Sequence, residues 1–195
     1  MINKKILYWS GFSCRKDELV YLKTEFENKD YVITKFPYNY DYGNFIPIKW
    51  IPLLDWDFDW WIGLSLGASV MVYSLSFFHK ECLPKRITMI NPFYSRSELA
   101  KENNFNIANQ MDFQLNKVIK NIEKVELVSS IEDKKIKMNH GIKVIKNFES
   151  SKKCIIFVTS NHGINDSCVQ KELAHLLMSE DYNETKYKYC DIYFK

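Results

Sequence analysis

Glycine placement constrains this chain more than any other feature. Gly11, Gly43, Gly63, Gly67, Gly141 and Gly163 are the only six in 195 residues, less than half of the roughly 7% that is usual. A chain so sparing keeps glycine where no side chain fits. Two of the six enclose a serine, in Gly63-Leu64-Ser65-Leu66-Gly67. A third ends the first apolar run, in Ser10-Gly11-Phe12, and a fourth follows a histidine, in Asn161-His162-Gly163. A serine held between glycines in this way fits a sharp strand-to-helix turn that presents its hydroxyl above a sheet, and the confirming context is a strand before it and a helix after it. Asp59-Trp60-Trp61-Ile62 ahead and Ala68-Ser69-Val70-Met71-Val72 behind supply both.

Strand-like and helix-like segments alternate along the rest of the chain. Residues 5–10, 31–36, 58–64, 86–90, 125–129 and 154–159 are short, β-branched or aromatic runs and read as strands. Residues 15–28 have helical spacing, with Leu19, Leu22 and Phe26 at i, i+3 and i+7. Residues 68–79, 142–148 and 170–178 read as further helices. The clearest amphipathic helix is 105–123, whose stripe is Ile107, Met111, Leu115, Val118, Ile119 and Ile122. The tail from Asp181 gives no assignable pattern. Strands apolar on both sides, alternating with helices, imply an α/β fold: a mostly parallel sheet of about six strands with helices on both faces. The length fits one domain, 1–195.

Composition removes several classes. The net charge of +3 and pI near 8.4 are mild, and no block of basic residues stands out, so nucleic-acid binding is disfavoured. Five cysteines at wide spacing, with no Cys-x-x-Cys, read as reduced buried thiols of a cytoplasmic protein rather than a disulfide or metal framework. The run from Ile6 to Trp9 is too short for a signal peptide. Trp60 to Phe78 carries no charge and imitates a membrane span. Its glycine-serine centre reads instead as a turn between a buried strand and a buried helix. Region 36–61 is dense in aromatics and holds Pro37, Pro47 and Pro52. It reads as a connection packed over the sheet edge, or as the wall of an apolar pocket.

A nucleophilic serine needs a base. Of four histidines, His79 falls near the end of the helix after the motif, His140 in a polar connection, and His175 inside the last helix. His162 directly follows the last strand, at the sheet edge where Ser65 emerges and where ligands of open α/β sheets gather. An acid must hold the imidazole in its working tautomer. Asp133 follows the strand between the other two and is the first choice, with Glu132 next and Asp166 as a third option. Two backbone N–H groups should face the developing oxyanion. Those of Leu66, at the helix start, and Phe12, after the first strand, are placed for it, with Gly11 allowing close approach.

In this order, Ser10-Gly11-Phe12, Gly63-Leu64-Ser65-Leu66-Gly67, Asp133 and His162 resemble the α/β-hydrolase superfamily from Lys5 to Met178. The match departs in carrying Ser10 where many members have histidine, and in lacking the antiparallel strands that often open the fold. Only about thirty residues lie between Asn91 and Lys124, so the resemblance implies a minimal member with a small lid at 92–123. Ser-Gly-Phe followed by Gly-Leu-Ser-Leu-Gly-Ala is similar to the pimeloyl-carrier methyl-ester esterases. The resemblance implies a serine esterase or thioesterase with a Ser65, His162 and Asp133 triad, acting on an apolar acyl group, without cofactor or metal. It admits an acyl-carrier protein as partner, which Lys117 and Lys120 would meet, though both also read as solvated helix lysines. Acyl transfer by the same triad, a non-catalytic binding protein on the same scaffold and a membrane-anchored protein are the alternatives.

Overall fold

The computed structural model describes residues 4–11, 18–36, 57–103, 118–150, 152–179 and 190–194. Its strands are β1 (Lys4–Trp9), β2 (Tyr31–Lys35), β3 (Trp60–Leu64), β4 (Arg86–Ile90), β5 (Lys124–Ser130), β6 (Lys152–Val158) and β7 (Cys190–Phe194). Its helices are α1 (Val20–Glu27), α2 (Leu66–Leu75), α3 (Arg96–Asn103), α4 (Met138–Lys146) and α5 (Ser167–Met178). The strands form one sheet in the order β2-β1-β3-β4-β5-β6-β7. The first six are parallel, and β7 joins β6 antiparallel. The mostly parallel sheet read from the sequence is therefore present. The unassigned tail adds a seventh strand at the edge, where a short segment with one neighbour needs no long apolar run.

Alternation along the strands builds two cores. Leu7, Trp9, Trp61, Met89, Leu127 and Ile155 face one side, against Ala68, Met71, Val72 and Leu75 of α2 and Val144 and Ile145 of α4. Ile6, Tyr8, Ile62, Ile90, Val128 and Ile156 face the other, against Leu22 and Phe26 of α1 and Leu173, Ala174 and Leu177 of α5. Helices thus cover both faces. The uncharged run from Trp60 is explained by the same geometry: every residue of β3 is buried, as is nearly every residue of α2. No helix among the described residues is long and apolar enough to cross a membrane.

Several boundaries differ from the sequence reading. The first helix opens at Val20, after Leu19 in a left-handed conformation. Residues 118–123 are not helical: Ile119 bridges Phe148, donating its N–H to the Asn147 carbonyl and accepting from Glu149. Ile119 and Ile122 are buried nonetheless, so their spacing reported burial rather than a helix. The expected helix residues Ile107, Met111, Leu115 and Lys117 lie outside the described residues, as do 37–56 of the aromatic region. α3 occupies part of the stretch read as a lid, and its weak apolar pattern gave no signal. Among the described residues Cys82, Cys154, Cys168 and Cys190 are free thiols. Burial, helped by the Glu126 carboxylate, pushes the Cys154 thiol up to about 12.

At the N-terminal ends of the strands sits a buried ion cluster. The Glu126 side chain is fully buried and accepts from Arg86, Lys124 and the Thr88 hydroxyl. Arg86 also donates to the Leu177 carbonyl of α5 and stacks over Trp60, whose indole N–H donates to Thr88. Burial works to raise the Glu126 pKa, but the two cations and Thr88 outweigh it and hold it below its ordinary value of 4.5. Glu126→Ala leaves Arg86 and Lys124 facing a void and should cost about 3–5 kcal/mol in urea unfolding. Because the folded-state pKa is depressed, this stabilisation is present at neutral pH and is lost as pH falls through the folded value. An unchanged midpoint for Glu126→Ala would show the cluster to be energetically neutral.

Candidate active site

Chain connections place the site. From β1 the chain goes outward to β2, whereas from β3, on the other side of β1, it proceeds to β4. Adjacent strands that lead away in opposite directions leave a crevice at their C-terminal ends. Gly11 emerges from one of them and Ser65 from the other. The Ser65 turn is crowded. A Cβ on Gly63 would lie 2.5 Å from the Ala68 Cα, and one on Gly67 would run into the carbonyls of Trp9 and Ser10. Only hydrogen fits at either place, so α2 can start directly against the end of β1. Ser65 itself has φ 52° and ψ −120°, a region that L-residues rarely occupy. Its N–H donates to the Ile90 carbonyl at 2.7 Å, and its own carbonyl accepts from Ser69 at 3.1 Å.

The structure brings Ser65, His162 and Asp133 into one line. Ser65 Oγ lies 2.8 Å from His162 Nε2, and His162 Nδ1 lies 2.6 Å from Asp133 Oδ2. The other carboxylate oxygen of Asp133 accepts the backbone N–H groups of Lys135, at 2.7 Å, and Ile136, at 3.0 Å. The Asp133 side chain is buried, while His162 remains 21% exposed. Burial works to raise the Asp133 pKa; the bonds from His162 and the two N–H groups overcome it and hold the carboxyl below its usual range. An ionised Asp133 carboxylate can only accept, so it favours the tautomer of His162 that carries its proton on Nδ1 and turns the Nε2 lone pair toward Ser65 Oγ.

Leu66 is the first residue of α2, so its N–H is one of the first-turn donors with no intrahelical acceptor. Phe12 lies outside the described residues. Gly11 ends the described part of that loop, and its N–H donates to Glu18 Oε2 at 2.9 Å. Gly163 follows His162, with a Cβ position 2.8 Å from Asn165 Oδ1.

The other candidates are occupied elsewhere. Asp166 caps α5, accepting from the N–H groups of Cys168 and Val169. Glu132 is exposed. His79 is exposed beside a short turn of 3₁₀ helix, and His175 lies near Glu25 on the surface. His140 is not in a polar connection: it is buried in α4, between the Tyr94 N–H and Glu102. Among the described residues no group of three or more His, Cys, Asp or Glu is arranged to hold a metal ion.

Three supporting residues escaped the sequence reading. Ser69 Oγ accepts the Phe93 N–H and approaches the Ser65 carbonyl. Gln170, buried in α5, accepts the Tyr21 and Leu22 N–H groups at the start of α1 and donates to the Ile164 carbonyl beyond His162. Asn91 sits between β4, β5 and the His162 loop. A polar residue just past an apolar strand, or on the apolar side of a helix, was the available signal.

No family model and no curated protein sequence matches the chain. Solved structures do. An esterase domain from Rhodothermus marinus superposes with a TM-score of 0.61 at 12% identity, over 89% of this chain and 84% of that one. Mouse alpha/beta hydrolase domain-containing protein 10 gives 0.63 at 12% identity, over 89% and 87%. A type II thioesterase of the yersiniabactin pathway gives 0.59 at 6% identity, over 90% and 92%. The fold is that of the α/β hydrolases.

Proposed function

We propose that this protein is a serine hydrolase that cleaves a carboxylic ester or thioester of an apolar acyl group. The observation that carries the reading is the unbroken chain from Ser65 Oγ through His162 to buried Asp133, at 2.8 and 2.6 Å. Ser65 attacks the carbonyl carbon while His162 Nε2 takes its proton. The N–H groups of Leu66 and Phe12 receive the oxyanion. The tetrahedral intermediate expels the alcohol or thiol, which His162 protonates, leaving an acyl-enzyme on Ser65. Water activated by His162 then releases the acid. Asp133 orients the imidazole and stabilises its charged form throughout.

Residues 92–123, including α3, are the proposed lid, and the apolar residues around Met111 and Leu115, with the aromatics of 36–61, support an apolar acyl group. The likeness to esterase and thioesterase folds supports ester or thioester cleavage, and an acyl-carrier protein is the proposed thioester carrier. A fluorophosphonate probe tests the reading. It should add its phosphonyl group to Ser65, located by peptide mass, and labelling should disappear in His162→Ala. Folded wild type that does not react, or a label on another residue, would overturn it.

A further inference from the structure

The strand β4 contributes no member of the triad, yet all three triad segments are bonded to its last residue, Ile90, or to Asn91, which follows it. The Ile90 carbonyl accepts the Ser65 N–H at 2.7 Å. Asn91, directly after it, has its side chain turned inward and is 3% exposed. Its Oδ1 accepts the Ser130 N–H at 2.8 Å. Its Nδ2 donates to the Ser130 hydroxyl and to the His162 carbonyl, both at 2.8 Å. Both amide hydrogens and the amide oxygen are thus engaged. Ser130 ends β5 and accepts the Asp133 N–H through its carbonyl at 3.2 Å, so the turn that carries the acid begins at the residue Asn91 grips. Asn91 has φ 48°, which asparagine tolerates better than other side-chain-bearing residues.

We propose that Asn91 is a positioning residue for the triad: one buried amide that sets the Asp133 turn and the His162 loop at a fixed separation, on the strand that also holds Ser65. The inference rests on the hydrolase reading for its catalytic consequence, but the bracket itself is a statement about geometry. A buried amide suits the task because it offers an acceptor and two donors in one rigid plane. A carboxylate at 91 keeps only the acceptor and sets a second oxygen against the His162 carbonyl.

Asn91→Gly is the informative variant. Glycine adopts φ 48° without steric cost, so the labelling rate and the low-field signal report the missing amide, while the glycine's added unfolded-state freedom enters only the thermal unfolding. Three readouts are made on the whole protein: the rate of fluorophosphonate labelling, the low-field NMR signal of the proton between His162 and Asp133, and thermal unfolding. The expected result is a folded protein with the low-field signal broadened or lost and labelling slowed about 10- to 100-fold, the scale of a small misplacement of reacting groups. Asn91→Asp, which keeps the bond to the Ser130 N–H, carries the test if the glycine variant does not fold, and is expected to slow labelling and shift the same proton. A folded Asn91→Gly, or Asn91→Asp in its place, with wild-type labelling and an unchanged low-field signal would overturn the proposal. Wild type that fails to label, while the variant still loses the signal, would overturn the hydrolase reading and leave the bracket standing.

Discussion

Replacing Ser65 with alanine is expected to lower ester turnover by roughly 10⁴- to 10⁶-fold, because the nucleophile and its base act as a unit. The loss should appear in kcat with the protein folded, since the Ser65 hydroxyl bonds to His162 Nε2 and the turn is held by backbone. That turn allows a second reading from the same position. At φ 52° and ψ −120° any side chain carries a backbone cost of about 1–3 kcal/mol. Glycine relieves the cost but returns part of it as unfolded-state freedom, up to about 1 kcal/mol. Ser65→Gly should therefore be as inactive as Ser65→Ala yet more stable by about 1 kcal/mol, a melting shift of roughly 2–4 °C in a chain of this size. Initial rates and thermal unfolding of both variants check this. Turnover retained by the alanine variant would place the nucleophile elsewhere. A glycine variant no more stable than alanine would remove the strain account.

The legible part of the molecule was the part where chemistry restricts residue type. Gly63 and Gly67 were readable because a Cβ at either meets backbone of α2 or β1, and that collision is local. His162 and Asp133 were readable by position, each following a strand whose β-branched run was plain. The sheet followed from the same runs, because a parallel strand buried on both faces has little room for polar residues. What was not legible depends on partners distant in sequence. Ile119 and Ile122 continued a helical spacing but are buried against other segments without being helical. The buried His140 looked like a loop residue because nothing local announces Glu102 and Tyr94. Asp166 competed with Asp133 for the place beside His162 until α5 was seen to need it as a cap. Asn91 and Gln170 are ordinary in sequence and acquire meaning only when β4, β5, α1, α5 and the His162 loop are brought together.

Asp133→Asn should reduce kcat/KM by about 10⁴-fold, through the tautomer of His162 rather than through lost packing. The argument starts from the oxygen that does not touch the histidine. Oδ1 of Asp133 accepts the N–H groups of Lys135 and Ile136, at 2.7 and 3.0 Å. In the asparagine variant the amide oxygen must stay there, because turning the amide over would set its NH₂ against two backbone donors. The NH₂ group then occupies the place of Oδ2, 2.6 Å from His162 Nδ1 in the native protein. A donor facing Nδ1 favours the ring that is unprotonated at Nδ1 and protonated at Nε2. That ring presents a hydrogen to Ser65 Oγ and has no lone pair for the serine proton. The substitution is isosteric, so the protein should fold, with a modest loss of stability from the missing charge. Nitrogen NMR of the imidazole reads the tautomer directly: Nδ1–H in the native protein, Nε2–H in Asp133→Asn. A tautomer unchanged by the substitution, or turnover that survives it, would mean that Asp133 does not orient the base and that the acid must be sought on another loop.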